Sequence, residues 1–143
     1  MSTKNFPLVA KKEEILNNNI NQIWDLVVDN TNYQWRTAIK NIEIYENGKS
    51  WVEYYNKKSF TKFTLIEKNK PKLYSFNMDN KYFYGNWVGE FFEINQYRTK
   101  CIFTETIYIK NRIIKIVAKL IWSIEALQEK YFIDLKKKLN ENN

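Results

Sequence analysis

The stretch that decides the fold lies in the last quarter of the chain, where residues 113–139 read IIKIVAKLIWSIEALQEKYFIDLKKKL. No Gly or Pro interrupts it, and apolar residues recur at helical spacing, which predicts one α-helix about 40 Å long. Its main apolar stripe consists of Ile113, Val117, Leu120, Ile124, Leu127, Tyr131 and Leu135. Because the first half of this helix is apolar around much of its girth, it needs a broad apolar surface to cover it.

The chain ahead of this helix has the pattern of a strand, a short helix and a meander of further strands. Residues 8–16 read as the first strand, and residues 20–28 follow with helical spacing. Asn18 or Asn19 can cap this short helix, because a side-chain oxygen there accepts a hydrogen bond from a free amide. Polar turns separate the later strands, which we predict at residues 42–46, 49–55, 60–66, 73–78, 82–94 and 100–109.

These elements predict an α+β fold of the helix-grip type, in which a curved antiparallel sheet of about six to seven strands wraps around the long C-terminal helix. A single sheet has one apolar face to bury, and only the long helix is large enough to cover it. The chain has 3 Gly and 2 Pro and contains no repeat or low-complexity linker. We therefore expect one domain spanning residues 1–143.

The composition favours a small-molecule site over a nucleic-acid interface. The chain has a net charge of +7, but 20 of its 23 cationic residues are Lys and only 3 are Arg. Because recognition of phosphates and base edges favours the forked guanidinium group, we expect no nucleic-acid partner. Aromatic residues make up 17% of the chain. Such a load predicts either a densely filled core or a cavity with aromatic walls.

Membrane and secretion signals are not apparent in the sequence. No run of about 18 apolar residues could span a bilayer, and the first residues lack the apolar block of a signal peptide. A single cysteine, Cys101, allows no internal disulfide, which is typical of a reducing compartment. We expect a cytoplasmic protein without stable membrane association.

The sequence excludes several kinds of catalytic site. It contains no His, so a Ser-His-Asp triad or a Cys-His pair cannot form. One Cys and no His leave a zinc site without its usual ligands, and no glycine-rich phosphate loop is present. We therefore expect no metal and no cofactor.

A predicted hairpin places a carboxylate on an apolar face. Asn-Gly at residues 47–48 is a strong signal for a two-residue turn, because both positions need a positive φ. The resulting register opposes Glu46 and Lys49, Ile44 and Trp51, and Ile42 and Glu53. Since side chains alternate along a strand, Glu53 shares the more apolar face with Trp51. Glu105 lies in the same way at the centre of an apolar face of the strand at residues 100–109.

An inward carboxylate among aromatic residues should have a raised pKa, which is how a general acid is made at neutral pH. The sharper hypothesis is therefore that Glu53 and Glu105 meet in a pocket, as an acid/base pair or as polar anchors for a ligand. The turn after residue 94 leaves open whether Trp87 or Val88 faces Glu105.

The plainer alternative is that Glu53 is a structural residue. If the loop after Tyr55 has an even length, Lys62 lies opposite Glu53 and the two form a cross-strand ion pair. If the loop has an odd length, Thr61 takes that place and leaves the carboxylate freer. The sequence does not decide between the two loop lengths.

Several local motifs resemble a known superfamily. They are residues 23–29 followed by Tyr33 and Trp35, then residues 85–87 late in the sheet, and residues 103–105 ahead of the long helix. With the order of elements, they resemble the START-like, or SRPBCC, superfamily, which includes the polyketide cyclase/dehydrase and lipid-transfer groups. The resemblance covers essentially the whole chain, although Asn111-Arg112 stands where relatives often carry Asn-Pro.

The resemblance implies a cavity between sheet and helix that holds a lipid, a polyketide or another small apolar molecule. Such cavities measure about 300–1,000 Å³. Our leading hypothesis is a non-catalytic binding domain, with Glu53 and Glu105 as polar anchors. The residues we expect to contact the ligand are Trp35, Trp51, Glu53, Tyr55, Trp87, Phe103, Glu105, Ile107, Leu120 and Ile124.

Two other functions remain open from the sequence. The first is a cofactor-independent enzyme of the cyclase or dehydratase type, in which Glu53 or Glu105 transfers a proton. The second is an interaction module, in which the apolar girth of residues 113–127 contacts a partner. We accordingly expect either a monomer or a homodimer.

Overall fold

The computed structural model describes residues 7–110 and 114–141, and this part of the chain forms seven strands and two α-helices. In chain order they are β1 (Leu8–Leu16), α1 (Ile20–Val28), β2 (Asn41–Tyr45), β3 (Ser50–Tyr54), β4 (Phe60–Asn69), β5 (Leu73–Asp79), β6 (Phe83–Asn95), β7 (Arg98–Ile109) and α2 (Ile114–Glu141). The predicted order of elements is confirmed. The predicted helix start at Ile113 and the Asn111-Arg112 departure lie outside the described residues.

All seven strands belong to one antiparallel sheet in the order β1-β7-β6-β5-β4-β3-β2. The chain runs as a meander from β2 to β7, and β1 pairs with β7 at one edge. The ladder is interrupted between Leu65 and Glu67 in β4 and between Glu93 and Asn95 in β6. Such bulges bend a strand and increase its twist. The fold is therefore α+β of the helix-grip type, as the sequence predicts.

The C-terminal half of α2 seals one part of the sheet face. Phe132 stacks on Phe103 of β7 with 4.6 Å between ring centroids, and Leu135 is fully buried beside it in the core. Helix α1 packs on the same face through Trp24, whose ring meets the edge of Phe91 at 5.5 Å. Asn19 caps α1, since its Oδ1 accepts a hydrogen bond of 2.9 Å from the Asn21 amide. Asn19 is thus the cap among the two predicted candidates.

The β2–β3 hairpin has the predicted register but a different turn. Ile44 pairs with Trp51 and Ile42 with Glu53, as expected. The turn, however, is a four-residue loop over residues 46–49, and Glu46 already has a positive φ of 51°. The two-residue turn was therefore wrong. Because one residue was added on each side of Asn47-Gly48, the register and the inward face stayed the same.

Helix α2 has an uneven surface. Ile124 and Leu135 of the predicted stripe are buried, whereas Leu127 is 47% exposed and Trp122, outside the stripe, is 73% exposed. The first half of the helix is thus covered less completely than the second. Among the described residues, no helix is both long enough and apolar enough to cross a membrane.

Candidate ligand-binding cavity

A cavity of about 780 Å³ lies between the inner face of the sheet and residues 120–134 of α2. Its volume falls in the range predicted from the sequence and typical of small-molecule sites. Strands β3 to β7 supply one wall, and Leu120, Ile124 and Tyr131 of α2 supply the other. The cavity meets the helix on the side of Leu120 and the partly exposed Leu127, whereas Phe132 and Leu135 of the same helix fill the core.

An aromatic band forms the wall on the sheet side. It consists of Trp51, Phe63, Phe76, Trp87 and Phe103, one residue from each strand from β3 to β7. Trp51 stacks on Phe63 at 5.5 Å, and Phe76 stacks on Trp87 at 4.9 Å, both with nearly parallel rings. The rings pack against one another along the sheet, and the cavity lies between them and the helix.

Gly89 explains how the Trp87 ring can lie close to the sheet. A side chain built on Gly89 would overlap the six-membered ring of Trp87, and its Cβ would lie 3.4 Å from the Phe103 ring. The indole therefore occupies the space above a residue that has no side chain. This contact keeps Trp87 in the wall of the cavity.

The most polar feature of the cavity is a buried ion pair. Arg36, in the loop before β2, donates from its two terminal nitrogens to the two oxygens of Glu53 at 3.1 and 3.0 Å. Trp51 Nε1 donates to the same carboxylate at 3.3 Å. The guanidinium also lies over the Tyr131 ring of α2, 5.2 Å from its centroid. The Glu53 side chain is only 6% exposed and that of Arg36 21%.

The length of the β3–β4 loop decides the environment of Glu53. The loop spans five residues, 55–59, and is closed by a hydrogen bond of 2.9 Å from the Tyr55 amide to the Ser59 carbonyl oxygen. This odd length sets Thr61 opposite Glu53 and turns Lys62 to the exposed face. The alternative left open by the sequence is thus resolved, and the cation that pairs with Glu53 is Arg36.

Glu105 lies on the same cavity without a comparable partner. Trp87 faces it across the β6–β7 ladder and Ala10 faces it across the β1–β7 ladder. Among residues 7–110 and 117–140, none forms a hydrogen bond or an ion pair with its side chain. Burial, with a smaller contribution from the charge of Glu53, raises the pKa of Glu105 to about 7. A carboxyl group of this kind can donate or accept a proton near neutral pH.

The guanidinium of Arg36 and the phenols of Tyr55 and Tyr131 on the cavity keep one charge state near neutral pH. Burial and then the charge of Glu53 raise the pKa of Tyr55 to about 12, and burial also raises the pKa of Tyr131. Burial has the largest single effect and lowers the pKa of Arg36, but the charge and hydrogen bonds of Glu53 together with the charges of Tyr131 and Tyr55 outweigh it, and the net effect is a rise. Arg36 is therefore a permanent cation and the two phenols stay neutral.

The structure places eight of the ten residues predicted to contact a ligand on the cavity wall. They are Trp51, Glu53, Tyr55, Trp87, Phe103, Glu105, Leu120 and Ile124. Trp35 and Ile107 lie elsewhere. Trp35 anchors its loop by packing on Tyr131 at 5.3 Å and donating to the Asn32 carbonyl oxygen at 2.9 Å. Ile107 is buried in the core.

Sequence reasoning missed Arg36 and Tyr131 as parts of the site. The sequence did contain one signal that Arg36 has a special role, since it is one of three Arg in a chain whose other cations are Lys. It also follows Trp35 in a loop near predicted apolar elements. A guanidinium is the usual partner of a buried carboxylate. Tyr131 was assigned to the helix stripe, but its contact with Arg36 had no local signature.

Comparison with solved structures places the fold in a known class. No protein-family model matches the chain, and no curated protein matches it. A START superfamily protein from Mycobacterium smegmatis has a TM-score of 0.76 at 11% identity, covering 94% of this chain and 99% of its own. The Zhui aromatase/cyclase from a Streptomyces species has a TM-score of 0.76 at 9% identity, covering 94% of each chain.

Norcoclaurine synthase from Thalictrum flavum has a TM-score of 0.75 at 13% identity, covering 96% of this chain and 89% of its own. At identities this low the likeness concerns the fold and not the activity. The chain therefore shares the helix-grip fold of these structures, a START superfamily protein among them, and at the level of the fold this confirms the resemblance found in the sequence.

The ion pair leads to a prediction about stability. The Arg36→Leu substitution should lower the free energy of unfolding by about 3 kcal/mol, because it leaves the Glu53 carboxylate buried without its cation. The double variant Arg36→Leu/Glu53→Leu should be more stable than this single variant. Urea unfolding of the three proteins measures the difference.

The exposed pair between Lys70 and Asp25, with 3.2 Å between Nζ and Oδ1, provides the control. The Asp25→Asn substitution should change stability by less than about 1 kcal/mol. If Arg36→Leu costs no more than this control, the buried pair does not stabilise the protein as we describe.

The raised pKa of Glu105 predicts a pH dependence. Its folded-state pKa of about 7 lies above the ordinary value of 4.5, so the folded protein holds a proton that the unfolded chain has lost between these values. Its contribution to stability is complete below pH 4.5 and is lost as the pH rises through 7, by about 3 kcal/mol in total. Relative to the wild type, Glu105→Gln should gain that amount between pH 4.5 and pH 8.

Urea unfolding at several pH values tests this expectation. Glu93→Gln, at an exposed position of β6, is the matched control and should show a constant difference from the wild type. A constant difference for Glu105→Gln as well would show that the Glu105 carboxyl is not shielded from water.

Proposed function

We propose that this protein binds a small, predominantly apolar molecule in the cavity between its sheet and α2. The observation that carries this proposal is the cavity itself, about 780 Å³ in volume, with an aromatic band on one wall and carboxylates within reach. Natural ligand sites combine apolar walls with a few well-placed polar groups. The START-like fold is consistent with such a role, since it forms this concavity without help from a second domain.

Different residues would contact the apolar and the polar parts of the ligand. The aromatic band and the α2 residues Leu120 and Ile124 would cover the apolar body of the ligand. Covering about 200 Å² of apolar surface contributes on the order of 5 kcal/mol before the entropic costs of association. Glu53 is engaged by Arg36, so it shapes the polar end, while Glu105 is free to contact a polar group of the ligand.

Filling the cavity should abolish binding. Leu120→Trp places a larger side chain into the space, whereas Ile121→Trp adds the same group at the neighbouring, exposed position of α2. We expect a neutral solvatochromic dye such as Nile red to bind the wild type and the Ile121→Trp variant alike. Its affinity for Leu120→Trp should fall at least about tenfold, a change of 1.4 kcal/mol.

Fluorescence titration measures these affinities, and native mass spectrometry with organic extraction identifies any molecule that co-purifies with the wild type. Equal dye binding by both Trp variants would locate the dye on the surface of α2 and contradict binding in the cavity. A co-purified molecule should be lost from Leu120→Trp and retained by Ile121→Trp.

A second candidate function is proton transfer on a bound carbonyl compound, as in a cyclase or dehydratase that needs no cofactor. The observation in its favour is the pKa of about 7 of Glu105 on the cavity wall. A group with this pKa can act as a general base or acid at neutral pH. Glu53 is less suited to the role, because Arg36 holds both of its oxygens.

Hydrogen–deuterium exchange of 1-tetralone tests this second function. If Glu105 removes the proton next to the carbonyl group, the protein should accelerate exchange in D₂O as measured by NMR. The rate should rise as the pH passes through about 7, since the ionised carboxylate is the base. Glu105→Gln should remove the acceleration and Glu93→Gln should retain it. Equal exchange with the wild type and Glu105→Gln would rule out this role for Glu105.

A further inference from the structure

We propose that the molecule bound in the cavity carries a basic nitrogen, and that its ammonium group pairs with the carboxylate of Glu105. This inference rests on the proposed binding function and adds the chemical class of the ligand. Such a molecule would have an apolar body and a single positive charge. Three features of the cavity support this inference: the balance of charges, the surroundings of Glu105 and the aromatic groups nearby.

The interior of the cavity has more anions than cations. Three carboxylates line it, Glu53, Glu105 and Asp134, whereas Arg36 is the one guanidinium among the described lining residues. Arg36 is fully engaged by Glu53 through two hydrogen bonds. Asp134 accepts hydrogen bonds of 2.8 Å from both the amide and the hydroxyl group of Thr37. These two carboxylates therefore have partners within the protein.

Glu105 is the carboxylate whose partner is missing among the described residues. It lies between Ala10, which has no side-chain donor, and Trp87, whose indole makes no hydrogen bond to it in the described part of the structure. Glu105 is partly buried in the cavity wall, and a carboxylate held in such a place without a protein donor is disfavoured once it is ionised. A ligand that brings a positively charged donor would remove this cost and form a charge-assisted hydrogen bond.

The surroundings of Glu105 also favour a cation. Trp87 faces it in the ladder, and Phe103 precedes it by two residues on the same face of β7. The faces of aromatic rings attract ammonium groups, and the attraction is larger where water is excluded. Tyr131 already holds the Arg36 guanidinium in this way, with 5.2 Å to the ring centroid. An ammonium group beside Glu105 would therefore have an anion and two aromatic side chains as neighbours.

Two lysines at the rim favour the opposite sign of charge. Lys58 and Lys81 line the cavity from the β3–β4 and β5–β6 loops, and both are exposed. Their effect is weakened by water and salt, because the screening length is about 8 Å at physiological ionic strength. An acidic ligand that used them would also bring a second negative charge toward Glu105. The interior thus favours an amine over an acid.

The pH dependence of binding should follow Glu105. The other charged and titratable groups that line the cavity are Glu53, Arg36, Asp134, Tyr55, Tyr74 and Tyr131, together with the exposed Lys58, Lys81 and Tyr82 at the rim. Burial keeps the phenols of Tyr55, Tyr74 and Tyr131 neutral, and Arg36 stays a cation. Ionisation of Glu105 near pH 7 should therefore strengthen the binding of an amine that is itself protonated. A ligand that only accepts hydrogen bonds should show the opposite trend.

Three naphthalene compounds of similar size separate the possibilities. They are 2-(1-naphthyl)ethylamine, 2-(1-naphthyl)ethanol and 1-naphthylacetate, each titrated calorimetrically into the full chain at pH 8 and at pH 5.5. We expect the amine to bind the wild type about tenfold or more tightly than the alcohol at pH 8, as one charge-assisted hydrogen bond would provide. This preference should decrease at pH 5.5, and the acetate should bind more weakly than the alcohol.

The variants assign the preference to one residue. Glu105→Gln should bind the amine and the alcohol about equally, while its affinity for the alcohol stays close to that of the wild type, which shows that the cavity is intact. Glu93→Gln should retain the full preference for the amine. If Glu105→Gln fails to fold, the affinities of the wild type for the three compounds at the two pH values still show whether the cavity prefers the amine.

The outcomes distinguish this inference from the proposed function. If the wild type binds the alcohol or the acetate as tightly as the amine at pH 8, the amine inference is wrong and binding in the cavity stands. The same holds if Glu105→Gln keeps the preference for the amine. If none of the three compounds binds at millimolar concentration, both the inference and the proposed function are overturned.

Discussion

The ion pair between Arg36 and Glu53 joins three parts of the structure that are distant in sequence. Arg36 comes from the loop before β2, Glu53 from β3, and Tyr131, over which the guanidinium lies, from α2. Loop, sheet and helix thus meet at one charged contact at the polar end of the cavity. Because a buried charge is costly without its partner, none of the three elements can shift freely. The open space beside this contact is held by elements that the pair ties together.

The two inward carboxylates show how one sheet face creates different chemical environments. Glu53 has a guanidinium and an indole donor, so its charge is compensated inside the protein. Glu105 lies on β7, where its ladder neighbours are Trp87 and Ala10, and burial raises its pKa to about 7. One carboxylate is therefore paired with a cation, whereas the other has no such partner in the described part of the chain. The pattern of alternation is the same for both, and only their neighbours differ.

Alternation and turn signals in the sequence were sufficient to predict the inward faces of the strands, and with them the places of Trp51, Glu53 and Glu105. The β2–β3 register survived an error in the turn, because the extra residues were added symmetrically. The sequence did not show whether the β3–β4 loop has an odd or an even number of residues, nor which cation pairs with Glu53. The five-residue loop at residues 55–59 and the contact of Arg36 with Glu53 depend on three-dimensional closure, for which local propensity carries no signal.

Gly89 has a wider consequence for the family of molecules that the cavity can accept. The residue does not line the cavity, yet the Trp87 indole rests in the space where its side chain would be. A methyl group at this position would lift the indole toward α2 and make the chamber shallower. The depth of the cavity therefore depends on Gly89, which lies behind the Trp87 indole and does not itself line the cavity. Substitution at this one position would change the size of the molecule that the cavity can hold while every residue that lines the cavity stays the same.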